Sequence, residues 1–334
     1  MNITFLIGNG FDLNCGLKTR FRHVYDGYCK TSSESKLIEQ FKKDIDENYE
    51  SWGDFEVAMS KYMVNFENEQ DFLTCLRDFK SYLNLHLKKE NDRFIKALNK
   101  KRNEIINEMR KSVYSFNLGI THDIDRRVTG HFVPNIIVFN YTPIWDTLFP
   151  IFSDDSPHHF INHIHGELDD DLVMGMDNIN QFKGLPYELT DEGRLAFIKS
   201  EFNQQYDPRR INWAENTIND SDFICVFGMS LGESDLRWRK HLLDWLISDE
   251  NAELFIYQHR YSVLTDMFAE QRMAVERTAK KELLQSWGIA GKDLELFSKR
   301  IHIPCCRNIF NIRSYVEEAE IKIQGVNVEP SRLL

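Results

Sequence analysis

Five consecutive residues near the start of the chain, Gly8 to Asp12, have the types and spacing of a loop that approaches a phosphate. They read Gly-Asn-Gly-Phe-Asp and follow an apolar run, Asn2 to Ile7, that predicts a short buried strand. Glycine lacks a Cβ, so the chain turns sharply there and a ligand can come close to the backbone amides. No third glycine follows at Leu13, and the loop has no P-loop Lys-Ser/Thr pair. The motif therefore predicts a nucleotide site or, equally well, a structural turn.

Three further polar clusters follow apolar runs that predict strands. Asn140-Tyr141-Thr142 follows a run that ends at Phe139, and His163-Ile164-His165-Gly166-Glu167 continues another. Gly228-Met229-Ser230-Leu231, with Asp235 shortly after it, follows a run that ends at Phe227. In an open parallel sheet, ligands bind outside the carboxyl ends of the strands, where such loops gather. We therefore expect the four clusters to meet at one edge of a sheet.

The runs that precede these clusters belong to a pattern of short strands alternating with helices. Such alternation predicts an α/β fold with a mostly parallel sheet that is covered by helices on both faces. An amphipathic helix near Asp235 to Ile247 joins two of the strands. The predicted strands are Asn2 to Ile7, Asn135 to Phe139, Phe160 to Ile164, Asp222 to Phe227, Glu253 to Tyr257 and Arg300 to Ile303.

A long helical segment separates the first predicted strand from the others. From about Ser35 to Asn117, apolar residues such as Phe72, Leu76 and Phe79 recur at three- and four-residue steps, and no proline interrupts them. We therefore predict a core formed by residues 1–30 and 118–325, with an all-helical insertion at residues 31–117. The apolar stripe is typical of a helical hairpin or a long packed helix. A lid, or an arm through which the chain forms a homo-oligomer, is the alternative.

The composition limits the partners of the chain. It has 334 residues and a formal net charge of −11, so a nucleic acid is an unfavoured partner because its phosphates would meet like charge. No apolar run approaches the length needed to span a membrane. Met1 leads directly into the first strand without a basic region or cleavage site, and the six cysteines form no Cys-x-x-Cys pair. We expect a cytoplasmic protein with buried free thiols.

A histidine-rich stretch offers a different chemistry, metal binding. His163 and His165 would project to the same face of a strand, which suits two metal ligands. This predicts, as an alternative, a metal-dependent hydrolase or nuclease that uses the cluster from His158 to His165. The acidic run beside it is more simply a solvated turn, and no third ligand is fixed by spacing. The stretch contains His158, His159, His163 and His165, beside Asp154, Asp155, Glu167, Asp169, Asp170 and Asp171.

The four clusters, in this order, resemble the bacteriophage abortive-infection AbiH family. The resemblance extends over nearly the whole chain, although the helical insertion carries little of it. That family in turn is similar to the sirtuin-like fold, a Rossmann-type domain that binds NAD+. The resemblance implies a sirtuin-like Rossmann-type parallel sheet and a role in phage defence by abortive infection. The matching motifs are Phe5-Leu6-Ile7-Gly8-Asn9-Gly10-Phe11-Asp12-Leu13, Phe139-Asn140-Tyr141-Thr142, Ile164-His165-Gly166, and Phe227-Gly228-Met229-Ser230-Leu231 with Asp235.

Two departures from sirtuins narrow what the resemblance implies. Tyr141 and Thr142 follow Asn140, where sirtuins have a hydrophobic residue and an aspartate. Asp146 lies too far along the chain to be assumed a substitute for that aspartate. The four-cysteine zinc module of sirtuins is absent, so the resemblance does not imply deacetylation of a peptide. The activity that stays compatible with the resemblance is cleavage of the bond between nicotinamide and ribose, without a protein that accepts the ADP-ribose.

Our mechanistic hypothesis is therefore hydrolysis of NAD+, as substrate, to nicotinamide and ADP-ribose, with no metal required. Asn140 and His165 are the predicted catalytic pair: the amide holds a ribose hydroxyl or orients water, and the imidazole accepts a proton near neutral pH. Gly8 and Gly10 would offer their amides to the pyrophosphate, and Ser230 would offer its hydroxyl. The full predicted cofactor-binding set is Gly8, Asn9, Gly10, Phe11, Asp12, Gly166, Gly228, Ser230 and Asp235.

Simpler interpretations stand beside these. Asp12 and Asp235 either bind ribose hydroxyls or cap the N-termini of the helices that follow them. For the whole site, a non-catalytic alternative is a nucleotide sensor whose helical arm recruits a partner or forms an oligomer. In either case an unidentified phage signal would activate the protein.

Overall fold

In the computed structural model, six parallel strands form one sheet at the centre of the described chain. The structure describes residues 1–116, 132–153, 160–170, 172–182, 184–262, 264, 267–305 and 308–321. The strands are β1 (Ile3–Ile7), β2 (Asn135–Val138), β3 (Ile161–His163), β4 (Phe223–Phe227), β5 (Glu253–Tyr257) and β6 (Ile301–His302). They pair in the order β3-β2-β1-β4-β5-β6.

Helices cover this sheet and fill the long connection between β1 and β2. Before β2 the described residues form α1 (Gly10–Asn14), α2 (Phe21–Tyr28), α3 (Lys36–Glu47), α4 (Phe55–Tyr62), α5 (Glu69–Lys100) and α6 (Arg102–Tyr114). After β2 the described residues form α7 (Ile144–Leu148), α8 (Asp191–Phe197), α9 (Lys199–Tyr206), α10 (Pro208–Asn219), α11 (Leu236–Ser248), α12 (His259–Ser262), α13 (Ala269–Ser286), α14 (Gly291–Ser298) and α15 (Arg313–Ile321). Short 3-10 helices lie at Tyr49–Trp52, Met63–Asn65, Phe149–Ile151, Ile179–Gln181 and Glu233–Asp235.

The sheet places the ends of its central strands side by side. β1 pairs with β2 on one side and with β4 on the other, and Ile7 lies opposite both Val138 and Phe227. At the edge of β2, His163 of β3 also lies opposite Val138. The loops after these four strands therefore leave the sheet at one level. From β1 the chain continues to β2 and β3 on one side of the sheet, and from β4 it continues to β5 and β6 on the other side. The β1–β4 pair is therefore the topological switch point, the place where open α/β sheets bind ligands.

Both faces of the sheet are buried, as expected for a parallel sheet between layers of helices. Successive residues of a strand point to opposite faces, so Phe5 and Ile7 join one core cluster and Leu6 joins the other. The first cluster includes residues of α5, α6, α7 and α15, and the second includes residues of α10, α11 and α13. All five residues of β1 are buried, which explains why the strand is almost entirely apolar.

The helices between β1 and β2 form a third core that is rich in aromatic side chains. The rings of Phe55 and Phe79 stack with their centroids 4.0 Å apart. Tyr25, Phe41 and Trp52 are buried in the same cluster. Because each aromatic side chain buries a large apolar area, this part of the helical segment holds a core of its own.

The long helix α5 connects the aromatic core to the sheet. Its residues up to Leu87 pack in the aromatic core, whereas Phe94, Ala97 and Leu98 pack in a cluster that covers the sheet. The helix ends at Lys100, and α6 continues the contact with the sheet. The predicted insertion thus contributes to two cores, and the boundary that we predict at residue 117 lies outside the described residues.

The fold predicted from the sequence is confirmed at the level of strands and sheet. Every predicted strand is present, with ends that differ by no more than one residue, and all the described pairings are parallel. The helix expected near Asp235 to Ile247 is α11. In the described part of the chain, no helix combines the length and apolarity needed to cross a membrane.

Candidate active site at the carboxyl edge of the sheet

The glycines of the first loop pack directly against the loop that follows β4. A Cβ built on Gly8 would lie 2.6 Å from the Gly228 carbonyl oxygen, and one on Gly10 would lie 2.5 Å from the Gly228 Cα. Gly228 itself has a φ of +74°, and a Cβ there would lie 2.5 Å from the Phe11 nitrogen. The two loops come this close because none of the three glycines has a side chain.

This contact also occupies the two amides that the sequence predicts for a pyrophosphate. The Gly8 N–H donates to the Phe227 carbonyl, and the Gly10 N–H donates to the Gly228 carbonyl, each at 2.9 Å. The predicted role of these amides is therefore wrong, because hydrogen bonds within the fold already use them. Gly8 nevertheless lines the cavity that opens beside the contact.

This cavity has a volume of about 270 Å³ and lies at the carboxyl ends of β1, β2 and β4. The helical segment between β1 and β2 contributes Phe21, Asp54, Glu56, Leu83 and Leu87 to its lining. The structure brings eight of the eleven predicted site residues together here, from four separate parts of the sequence. They are Gly8, Asn9, Asp12, Asn140, His165, Gly228, Ser230 and Asp235.

Asp12 holds two residues of the loop that follows β2. Its Oδ1 accepts a 2.6 Å hydrogen bond from Asn140 Nδ2, and its Oδ2 accepts a 2.7 Å hydrogen bond from Thr142 Oγ1. Burial raises the pKa of Asp12 to about 7, while the hydrogen bonds from Thr142 and Asn140 and the nearby His163 oppose this rise. Only 1% of Asp12 is exposed. Asp12 therefore fixes the orientation of the Asn140 amide.

Asn140 is left with one unpaired polar atom. Its Nδ2 bonds to Asp12 and lies 3.2 Å from Thr142 Oγ1, so Oδ1 lies on the other side of the amide. Oδ1 is buried and accepts no hydrogen bond from any described residue. An unpaired buried acceptor costs roughly 1–3 kcal/mol, which a donor on a ligand would recover. Because Asn140 lines the cavity, we expect Oδ1 to meet a ligand hydroxyl or a water there.

His165 lines the same cavity with a ring whose two nitrogens differ. Its Nδ1 lies 3.1 Å from the Phe139 carbonyl oxygen. Since a carbonyl oxygen only accepts, Nδ1 carries the hydrogen and Nε2 carries the lone pair. Burial lowers the pKa of His165 well below its ordinary value, and the positive charge of Lys199 lowers it further. The ring is therefore neutral around pH 7, and Nε2 is the atom that can accept a proton.

An ion pair that the sequence does not single out belongs to the same lining. Lys199 Nζ lies 2.7 Å from Glu56 Oε2, and the other Glu56 oxygen accepts a 3.0 Å hydrogen bond from the Gly175 amide. Both side chains are buried, at 4% and 8% exposure. Burial raises the pKa of Glu56 to about 7 against the opposing effect of Lys199. Burial alone would lower the pKa of Lys199, but Glu56 and Asp235 raise it overall, so the ammonium stays charged.

Asp235 is a carboxylate of the cavity and not a helix cap. It occupies the N-cap position of α11, but its side chain accepts no hydrogen bond from that helix. Burial raises the pKa of Asp235, Lys199 lowers it, and the carboxylates of Asp177 and Asp54 raise it. Asp12 is not a cap either, because it lies inside α1, whose N-cap position is Asn9. The capping interpretation is therefore wrong for both aspartates.

Three predicted cofactor-binding residues lie outside this lining. Phe11 is fully buried, and its ring centroid lies 5.1 Å from that of Trp145, so it belongs to the hydrophobic core. This burial contradicts a ligand-binding role for the Phe11 side chain. Gly166, with a φ of +75°, directly follows the turn at Ile164 and His165. Gly10 lines a second, smaller depression, which also touches Gly228.

His163 lies in a different environment from His165. Its Nε2 is 2.7 Å from Asp146 Oδ2. Among the described residues, Asp146, His163 and Glu167 form a group that could hold a metal ion, with ligand atoms within 4.8 Å of one another. His165 is not in this group, so the predicted pairing of the two histidines as metal ligands is not found. Asp169 and Asp170 are not in the group either, and they pair with Lys88 and Arg210. The other members of the predicted stretch, His158, His159, Asp154, Asp155 and Asp171, lie outside the described residues.

The charges of the cavity favour a positively charged group. Its lining contains four carboxyl side chains, one lysine and a neutral histidine. Glu56 is paired with the lysine and the pKa of Asp12 is about 7, so the excess negative charge comes chiefly from Asp54 and Asp235. Carboxylates placed around a reacting centre stabilise positive charge that develops in a transition state. The lining thus combines these carboxyl groups with a hydrogen-bond acceptor at Asn140 and a proton acceptor at His165. The carboxyl groups belong to Asp12, Asp54, Glu56 and Asp235.

Comparison with known families gives a match that covers most of the chain. The model of the family described as bacteriophage abortive infection AbiH matches residues 4–257. This range runs from β1 to the end of β5 and includes every predicted site residue. No curated protein and no solved structure is significantly similar to the chain.

Proposed function

Because the chain belongs to the bacteriophage abortive infection AbiH family, its role is phage defence, and we propose that it acts by hydrolysing NAD+. The bond between nicotinamide and ribose would break, and the products would be nicotinamide and ADP-ribose. On activation by phage infection, loss of this cofactor would stop the metabolism of the infected cell.

One observation carries the proposal. Asn140, whose buried Oδ1 has no hydrogen-bond partner among the described residues, lines the same cavity as the neutral ring of His165. An unpaired buried acceptor favours a ligand that brings a hydroxyl donor, and the Nε2 lone pair favours a reaction that releases a proton. Hydrolysis of NAD+ meets both conditions, because its ribose carries hydroxyl donors and the attacking water releases a proton.

The strand order supports a dinucleotide as the ligand. The order β3-β2-β1-β4-β5-β6 is the order of Rossmann-type sheets, in which a dinucleotide binds across the switch point. The cavity lies at that point, between the loops after β1 and β4. The order supports the broader Rossmann type, while the sirtuin-like assignment rests on the resemblance of Asn140 and of His165 with Gly166.

The size and charge of the cavity fit one end of NAD+. A volume of about 270 Å³ is just below the roughly 300–1,000 Å³ of typical ligand pockets, so the cavity suits a nucleoside-sized group. The nicotinamide ring of NAD+ is positively charged, and positive charge moves onto the ribose as the bond to it breaks. The carboxyl groups of Asp54 and Asp235 would attract the charged ring and would stabilise the charge more strongly as it moves onto the ribose.

In the proposed reaction, the ribose C1′–nitrogen bond breaks and both of its electrons stay on nicotinamide. Water forms the new bond to C1′, and the proton that it loses goes to His165 Nε2. Asn140 Oδ1 accepts a hydrogen bond from a ribose hydroxyl or from this water, and Asp12 holds the amide in place. Asp235, which also lines the cavity, would accept a hydrogen bond from a ribose hydroxyl. NAD+, water and these side chains supply every atom that the step requires.

The test is chromatography of NAD+ after incubation with the purified protein, alone and with phage lysate. We expect nicotinamide release by the wild type, and release at least roughly 100-fold slower in Asn140→Ala and His165→Ala, since a proton acceptor contributes about this factor. His241→Ala is the matched control, because this half-buried histidine contacts the Glu215 carbonyl and does not line the cavity. No release by the wild type under either condition would contradict the proposal. Equal rates in all four proteins would show that the reaction occurs elsewhere.

A metal-dependent hydrolase is the second candidate, and the group of Asp146, His163 and Glu167 favours it. Imidazole and carboxylate ligands together suit Mn²⁺ or Zn²⁺. This function would require hydrolysis of a phosphodiester that depends on added Mn²⁺, is stopped by a chelator and is lost in His163→Ala. If NAD+ is cleaved equally well with and without the chelator, the first candidate stands.

A further inference from the structure

We infer that a second, basic depression beside the cavity binds the phosphate groups of the nucleotide. The inference rests on the proposed function, because it assigns a binding site to the negatively charged diphosphate of the same ligand, NAD+. The depression has a volume of about 130 Å³ and lies at the carboxyl ends of β4 and β5, where Phe227 and Tyr257 line it. Its polar lining residues are Asn14, Arg20, His259, Asn308 and Arg313.

The depression and the cavity have opposite charges. The depression contains two arginines, and no carboxyl group is among the described residues that line it. The lining of the cavity contains four carboxyl groups and one lysine. The charges of NAD+ are separated in the same way, since a positively charged nicotinamide riboside is joined to a negatively charged diphosphate. A ligand with both ends would therefore match the two neighbouring surfaces in one orientation.

Arg20 is the arginine best placed to bind a phosphate. Its side chain is exposed and forms no hydrogen bond or ion pair with the described residues. Arg313 donates to the Leu13 carbonyl at 2.5 Å, which holds its guanidinium against α1 and leaves further donors on the group. Guanidinium groups bind phosphate strongly because two parallel N–H donors match two phosphate oxygens.

One short segment connects the depression with the cavity. Thr19 and Phe21 line the cavity, whereas Arg20 between them lines the depression, and Gly228 lines both. A ligand that extends out of the cavity across this segment meets Arg20 next. The arginine thus supplies the phosphate donor that the Gly8 and Gly10 amides, used within the fold, do not supply.

Titration calorimetry of the full-length protein with ADP-ribose tests this site. ADP-ribose carries the diphosphate but no nicotinamide, so its binding is measured without turnover. We expect Arg20→Gln to weaken ADP-ribose binding about tenfold or more, because it removes charge-assisted hydrogen bonds to phosphate. Arg22→Gln is the matched control, since this exposed arginine two residues away pairs with Glu50 and lines neither surface. Nicotinamide riboside, which has no phosphate, should bind both variants and the wild type equally well.

The outcomes separate this inference from the proposed function. Equal affinity of the wild type and Arg20→Gln for ADP-ribose, at equal melting temperatures, would overturn the inference even if NAD+ is hydrolysed. No binding of ADP-ribose to the wild type would overturn it as well. A tenfold loss in Arg20→Gln, in a protein that does not hydrolyse NAD+, would support the phosphate site and contradict the proposed reaction.

Discussion

Replacement of Asp12 by asparagine is expected to change how the stability of the protein depends on pH. Asp12 is buried and accepts hydrogen bonds from Asn140 and Thr142. Asparagine has the same shape, so its oxygen can accept from the Asn140 amide and its nitrogen can donate to the Thr142 hydroxyl. The variant therefore removes the titrating group while it keeps the contacts.

The size of the effect follows from the pKa of Asp12, which burial raises from 3.8 to about 7 in the folded protein. Because the pKa of Asp12 is higher in the folded than in the unfolded protein, folding favours the protonated carboxyl group. The contribution of this group to the free energy of unfolding is fully present below pH 3.8 and is lost as the pH rises through 7. One pKa unit corresponds to about 1.4 kcal/mol, so the whole shift corresponds to about 4 kcal/mol. The part lost between pH 5 and pH 8 is about 2–3 kcal/mol.

Urea unfolding at pH 5, 6, 7 and 8 measures this loss. Over that range, the free energy of unfolding of the wild type should fall by about 2–3 kcal/mol more than that of Asp12→Asn. Asp92→Asn, which changes an exposed carboxyl group on α5, should follow the wild type. If Asp12→Asn also follows the wild type, Asp12 does not take up a proton in this range, and the argument from burial is refuted.

Two further predictions concern the contacts that hold the cavity together. Lys199→Met should lower the free energy of unfolding by about 3–5 kcal/mol, because it leaves Glu56 buried without its cation, and the double variant with Glu56→Leu should recover most of this loss in urea unfolding. A double variant as unstable as Lys199→Met would contradict this reason. Gly228→Ala should reduce the melting temperature far more than Gly184→Ala, because both glycines have positive φ but a Cβ meets neighbouring backbone only at Gly228. Equal melting temperatures would show that φ alone sets the cost.

The sheet and half of the site could be predicted because they depend on short stretches of sequence. Strands such as β1 and β4 are apolar and buried on both faces, so each is visible as a run of five or six residues. Parallel strands bring their carboxyl ends to one edge, and therefore Asn140 and His165 were expected near Gly8 from the order of motifs alone. The structure places all three in the lining of one cavity.

The other half of the lining depends on how helices pack against that edge, which no local pattern records. Glu56 is in α4 and Lys199 is in α9, and the two meet across 143 positions of the sequence. Neither residue follows a strand or belongs to a motif, and a lysine or glutamate on a helix is usually solvated. Asp12 and Asp235 had a local interpretation as helix caps, but Asp12 accepts hydrogen bonds from Asn140 and Thr142, and the Asp235 side chain makes no capping hydrogen bond.

The close contact of Gly8, Gly10 and Gly228 has a consequence for how relatives of this protein are to be judged. These glycines are required by the approach of two backbone loops, so a chain that has lost every activity but kept the fold must still keep them. Asn140 and His165 are constrained less strictly, because one polar atom of each side chain bonds within the fold, to Asp12 and to the Phe139 carbonyl, and neither contact depends on a close approach of two backbones. A survey of related genomes should therefore use the glycines to recognise the architecture, and under the proposed function it should use the Asn–His pair to separate active members from degenerate ones.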